Sequence, residues 1–148
     1  MANGKVRFSV SVTPILEVTD AEADGTWSTV AKDVGKTLGG SGEHAVTWGT
    51  TIGYEAGVPT YKEITSATSL GTFTSVKFVF IKHTGYSDAA KTTATDKTVS
   101  IMESTNQFAV LGPGDAIILP YAVVDTPVLT ATSDDASAVQ IEVMGQVG

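Results

Sequence analysis

The sequence predicts an all-β protein: an antiparallel β-sandwich or jelly roll of about nine or ten short strands, in one domain over residues 1–148. Three observations lead there. Short apolar stretches recur at intervals of roughly 8–15 residues, with Gly-, Pro- and Asp-rich turns between them. No stretch sustains a 3.6-residue apolar repeat over the length of a helix. Thr, Gly, Val and Ala dominate while Leu and Arg are scarce, which favours strands and turns over helices.

The clearest alternation is KVRFSVSV (5–12), with Val6, Phe8, Val10 and Val12 on one side and Lys5, Arg7, Ser9 and Ser11 on the other. Pro14 ends or deflects it. ILEV (15–18), TWSTVA (26–31), HAVTWGTTI (44–52) and YKEIT (61–65) read as the next strands. SVKFVFIK (75–82) is the central candidate: Val76, Phe78 and Phe80 share a face, and Val79 with Ile81 makes the other face apolar too, as expected of a strand covered on both sides. TVSIME (98–103), QFAVL (107–111), DAIILP (115–120) and AVQIEVM (138–144) complete the set, the last of them closing the chain inside the sheet. Parallel pairing would need crossovers of a dozen or more residues, and none is evident. Two polar loops, 32–43 and 83–97, are long enough to be functional or mobile and are candidates for ordering against a partner.

Composition narrows the chemistry. The formal charge is −7, and the nine cations, of which only Arg7 is an arginine, are scattered among acids. A nucleic-acid groove needs a clustered basic face, so none is expected. There is no cysteine, hence no disulfide or thiol chemistry. No apolar run is long enough for a spanning helix and no signal-peptide h-region follows the start, so the chain reads as soluble, without a membrane partner.

The motifs are mostly explained by turns. Asp20, Glu22, Asp24 and Gly25 imitate the opening of a calcium loop, with oxygens at positions 1, 3 and 5. The twelfth position is Ala31 where a bidentate Glu is required, so the stretch reads as an acidic turn with three candidate ligands for weak calcium binding; no other cofactor is expected. GSGEHA (40–45) lacks the strand before and helix after that a dinucleotide site needs. In GPGDAIILPYA (112–122) the spacing of Gly114 and Pro120 resembles the second cupin motif, but Ala122 to Asp125 stand where that pattern has its metal-binding histidine. It therefore reads as a hairpin, with Asp115 bonding the turn amides. His44 and His83 have no H-x-H partner and read as surface residues. A small hydrolase would have to use one of them. Trp27, Trp48, Tyr54, Tyr61, Tyr86 and Tyr121 are the candidates for stacking on a sugar or a protein, Tyr54 in a turn being the best placed.

In overall character the chain resembles the head decoration (cement) proteins of tailed phages. The likeness lies in the N-terminal strand KVRFSVSVTP, the long Thr/Ser/Gly loops, the late LGPGDAIILP hairpin and the terminal strand AVQIEVMGQVG. The resemblance implies a non-enzymatic structural subunit, made in the host cytoplasm and bound to the major capsid protein lattice on the outside of the virion. It also implies a closed homo-oligomer, a trimer at a local three-fold axis. Val6 and Phe8 in the N-terminal segment, Tyr54, and Tyr86 in the second long loop are the expected contact residues. The alternative is a carbohydrate-binding β-sandwich, as in a tail fibre or an accessory domain of a polysaccharide enzyme, stacking sugars on Tyr54 or Trp27.

Overall fold

The computed structural model describes residues 3–21, 27–33, 38–52, 54–55, 58–71, 73 and 75–147. It is an all-β chain of antiparallel sheets, and among the described residues the one helical element is a three-residue 3-10 turn at Asp134–Ala136. The strands are β1 (Asn3–Val12), β2 (Ile15–Ala21), β3 (Trp27–Asp33), β4 (Leu38–Ile52), β5 (Tyr54–Glu55), β6 (Val58–Ile64) and β7 (Thr68–Ser69). They are followed by β8 (Val76–His83), β9 (Val99–Glu103), β10 (Asn106–Leu111), β11 (Ala116–Asp125), β12 (Leu129–Ser133) and β13 (Val139–Val147). All ten expected strands are present. The additions are two-residue β5 and β7, and β12, which the sequence reading passed over.

The chain divides into two compact units, Arg7–Glu43 and the remainder, Met1–Val6 with His44–Gly148. In the larger unit β13 is the hub of one sheet. β8 lies on one side of it, while β6 and then the end of β4 lie on the other. β11 adds beyond β8, and β5 beyond β6. The second sheet runs β10-β9-β12-β7. One apolar core joins the two layers: Val79, Ile81, Ile141 and Val143 from the first, Ile101 and Leu129 from the second. Every side chain in that list is fully or almost fully enclosed, the arrangement of a β-sandwich whose inner faces interdigitate.

β8 is central, as expected, but its inward set differs from the simple alternation. Opposite β13, Val76 faces Val147 and Phe78 faces Gln146, so the ladder slips by one residue there. A bulge inverts the facing of everything beyond it. Val76, Val79 and Ile81 therefore share the core, while buried Phe78 lies outside that cluster and Phe80 is only half-buried. The stretch is covered on both sides where Phe78 and Val79 adjoin.

The Leu111–Ala116 corner is not a hairpin. β10 pairs with β9 in one layer and β11 pairs with β8 in the other, so the turn carries the chain from sheet to sheet. Gly114 supplies a φ of +87°, which a side chain would resist. Asp115 does bond the turn: its Oδ2 accepts from the Gly112 amide at 2.9 Å and its own amide donates to the Gly112 carbonyl at 3.0 Å.

In the smaller unit β2 and β3 form a hairpin, with Asp20 opposite Ser28 and Ala31 opposite Glu17. Here too the β1 and β4 stretches lie together. Arg7 donates to Glu43 Oε2 at 2.9 Å, and the Phe8 ring lies on Gly42 so closely that an added Cβ would sit 2.5 Å from Cζ. Residues 38–43, expected to be loop, are strand.

Candidate functional site

One apolar surface of the larger unit lies at an edge of the sandwich. β10 ends one sheet and β11 ends the other. Each is irregular there. In β10, Gln107 faces Met102 and Ala109 faces Ile101, leaving Phe108 as the extra residue of a bulge. Bulges re-aim side chains at sheet edges, and Phe108 stands 43% exposed. β11 keeps its register with β8 to Pro120 and then slips before Asp125; a proline, which cannot donate to a ladder, is at home on such an edge. Between the two strands is a groove of about 260 Å³ lined by Phe108, Leu119, Pro120, Tyr121 and Leu129, with Glu103 on its lip. Val110, in the same strand as Phe108, and Val128, next to Leu129 in sequence, are also exposed. Such a surface suits contact with another macromolecule.

A larger, open depression of about 520 Å³ lies in the smaller unit, among Arg7, Phe8, Ser9, Ser41, Gly42 and Glu43. Its charged pair is satisfied internally and its aromatic ring rests on a glycine.

His83 is not at the surface. It is completely buried at the end of β8. Its Nδ1 accepts from the Gly85 amide at 2.9 Å, and its Nε2 lies 2.9 Å from the Lys97 carbonyl. The amide can only donate and the carbonyl can only accept, which fixes the neutral tautomer with the proton on Nε2. One imidazole thus clasps both ends of the 84–98 loop. The backbone of the same residue holds the sheet-to-sheet corner, through His83 N to Asp115 O at 2.9 Å and Gly114 N to His83 O at 3.1 Å. Neither ring nitrogen is available for metal binding or proton transfer.

The loop it closes is correspondingly well bonded within the chain. Tyr86 bridges to Ala94, and Gln140 N donates to the Tyr86 carbonyl at 2.8 Å. The Asp88 carboxylate accepts from the Thr92 and Thr93 amides and the Thr92 hydroxyl. The Thr92 and then the Thr93 amide hold its carboxyl below the ordinary carboxylate range. Lys97 is raised above the ordinary lysine value, first by its hydrogen bond to Asp135 at 3.1 Å and then by that carboxylate's charge.

The expected site residues are not brought together. Of the calcium candidates, Asp20 lies in β2 with its side chain outside the described residues, and Glu22 and Asp24 lie outside them altogether. Among the described residues no three metal-binding side chains cluster. Val6 is in β1 and Tyr54 in β5, facing Pro59 of β6; both side chains lie outside the described residues, as do those of His44, Trp27 and Trp48. Phe8 is half-buried against Gly42, and Tyr86 is half-buried in the loop. Tyr61 is exposed, but Lys91 Nζ stands over its ring at 4.7 Å. Phe108, Leu119 and Pro120 were missed as contact residues because their groove joins strands of different sheets. An apolar residue at an irregular edge was the one local signal. No protein-family model, no curated protein and no solved structure matches this chain.

Proposed function

We propose that the protein is a structural binding module that docks on an assembled protein surface, and that this surface is the outside of a tailed-phage head. The observation that carries the docking part is the apolar groove between β10 and β11, with Phe108 exposed in its lining. The capsid as partner rests on the sequence resemblance alone. A decoration subunit acts by binding the assembled state in preference to its parts, which shifts assembly by mass action. A specific contact of this kind buries roughly 1,200–2,000 Å² in total, more than the groove supplies, so neighbouring loops would share it.

Co-sedimentation with heads assembled from the major capsid protein of the same phage tests both parts. Binding is expected, and Phe108→Asp should weaken it at least tenfold while leaving the thermal unfolding profile intact. Absence of binding to such heads would remove the capsid, and a Phe108→Asp variant that binds normally would remove the groove. Glycan-array binding lost on Tyr54→Ala would replace both with the carbohydrate-binding alternative.

A further inference from the structure

The β1–β4 ribbon of the smaller unit has little cover. Its described residues are exposed, except for Phe8 and Gly42, which are half-buried. Val10, Val12 and Leu38 are 48%, 55% and 63% exposed. An end strand presents a row of backbone N–H and C=O groups on which a further strand can pair. β1 stands at the end of its strand order with β4 beside it, so an added strand has a defined place.

We infer that the strand added there is β1 of a second copy, antiparallel about a two-fold axis through Ser9. The sequence around Ser9 is self-complementary in that register. Ser9 faces Ser9, Phe8 faces Val10, Val6 faces Val12, Arg7 faces Ser11 and Lys5 faces Thr13. Directly opposed residues of an antiparallel pair lie on the same face, so apolar meets apolar throughout and polar meets polar. A slip of one residue would oppose apolar to polar side chains along the whole strand. A slip of two toward the N-terminus would bring the two Arg7 side chains onto a close diagonal.

Local charge leaves room for a second copy as the occupant. The chain as a whole is acidic at −7, which opposes self-association in general. The β1 stretch itself carries no carboxylate, and the Arg7 charge is met within its own chain by Glu43 at 2.9 Å. The chosen register places no two cations opposite each other. The result is a four-stranded ribbon, β4-β1-β1-β4, with both copies' Phe8, Val10 and Val12 on one face. This isologous pairing differs from the three-fold arrangement that the resemblance implies, and it does not depend on what the oligomer docks on.

The chain has no cysteine, so a single one can report the pairing. Opposed Cα atoms lie about 4.5 or 5.5 Å apart, within reach of a disulfide. Under mild oxidation Ser9→Cys should form a covalent dimer at least tenfold faster than Ser41→Cys, on the neighbouring strand. The unmodified chain should scatter light as a dimer at micromolar concentrations. Hydrogen exchange at Phe8 to Ser11 should slow as concentration rises, and Val10→Lys should raise the dissociation constant at least tenfold. A monomer at 100 µM, equal cross-linking of the two cysteine variants, or an oligomer without protection at residues 8–11 would each overturn the inference. Particle binding by a protein that fails these tests would leave the docking reading standing, and a dimer that binds no particle would leave this one.

Discussion

β1 and β12 behave in opposite ways. β1 has the clearest alternation in the sequence, yet none of its described side chains is buried. β12, LTATS, has almost no apolar contrast, yet Leu129, Ala131 and Ser133 are all enclosed. Alternation therefore identifies extended backbone and assigns residues to faces; it does not decide which face is covered. Cover comes from strands far away in sequence. β12 lies between β9 and β7 beneath the opposite sheet, whereas β1 is at the end of its strand order.

The largest test of that contrast is a pair of truncations. Ile141→Ala, in the core strand β13, should cost about 2–5 kcal/mol, since it removes buried methylenes and leaves a cavity. Val10→Ala should stay within about 0.5 kcal/mol in dilute solution, as surface changes do. Denaturant unfolding of both checks this, and equal losses would mean that the ribbon is covered within one chain.

A second test concerns polar rather than apolar cover. His83→Ala removes a fully buried ring and leaves the Gly85 amide and the Lys97 carbonyl, in half-buried residues, without their side-chain partner. Such orphaned groups cost about 1–3 kcal/mol each, so a loss of several kcal/mol is expected. Hydrogen exchange should accelerate across residues 84–98 before it does in β13.

The smallest effect is electrostatic. The Asp88 carboxyl is lowered by the Thr92 and Thr93 amides, so its contribution is present above the unfolded value, about 3.9. It is lost as pH falls below that value and through the lower folded one. Exchange at the Thr92 and Thr93 amides should therefore quicken on acidification in this window. Asp88→Asn should be already loosened at neutral pH and flat across the window. An identical pH profile in the variant would assign the effect to another group.

These contrasts also mark what the sequence could disclose. Strand positions were legible because side-chain period and turn residues are local properties. β12 escaped because its inward positions hold Ala131 and Ser133, too small to stand out against threonine. The GPGD corner was legible as a turn, and so was the role of Asp115. Whether the chain then returned to the same sheet depended on β8 and β9, outside that stretch. His83 looked like a surface residue because its partners are backbone atoms, which leave no trace in residue identity. The internal bonding of the 84–98 loop was hidden for the same reason. The groove escaped because Phe108 and Leu119 become neighbours only when two sheets end side by side.

The hub position of β13 has a consequence for how the protein is made. β6 and β8 both pair with it, and it lies far downstream of either. A nascent chain emerges N-terminus first, so both strands spend the intervening synthesis with hydrogen-bonding edges unsatisfied. Pairings at such separation are slow to form because a long loop must close first. The interval before β13 arrives is when this chain is most open to misassembly, and when a chaperone would have most to protect.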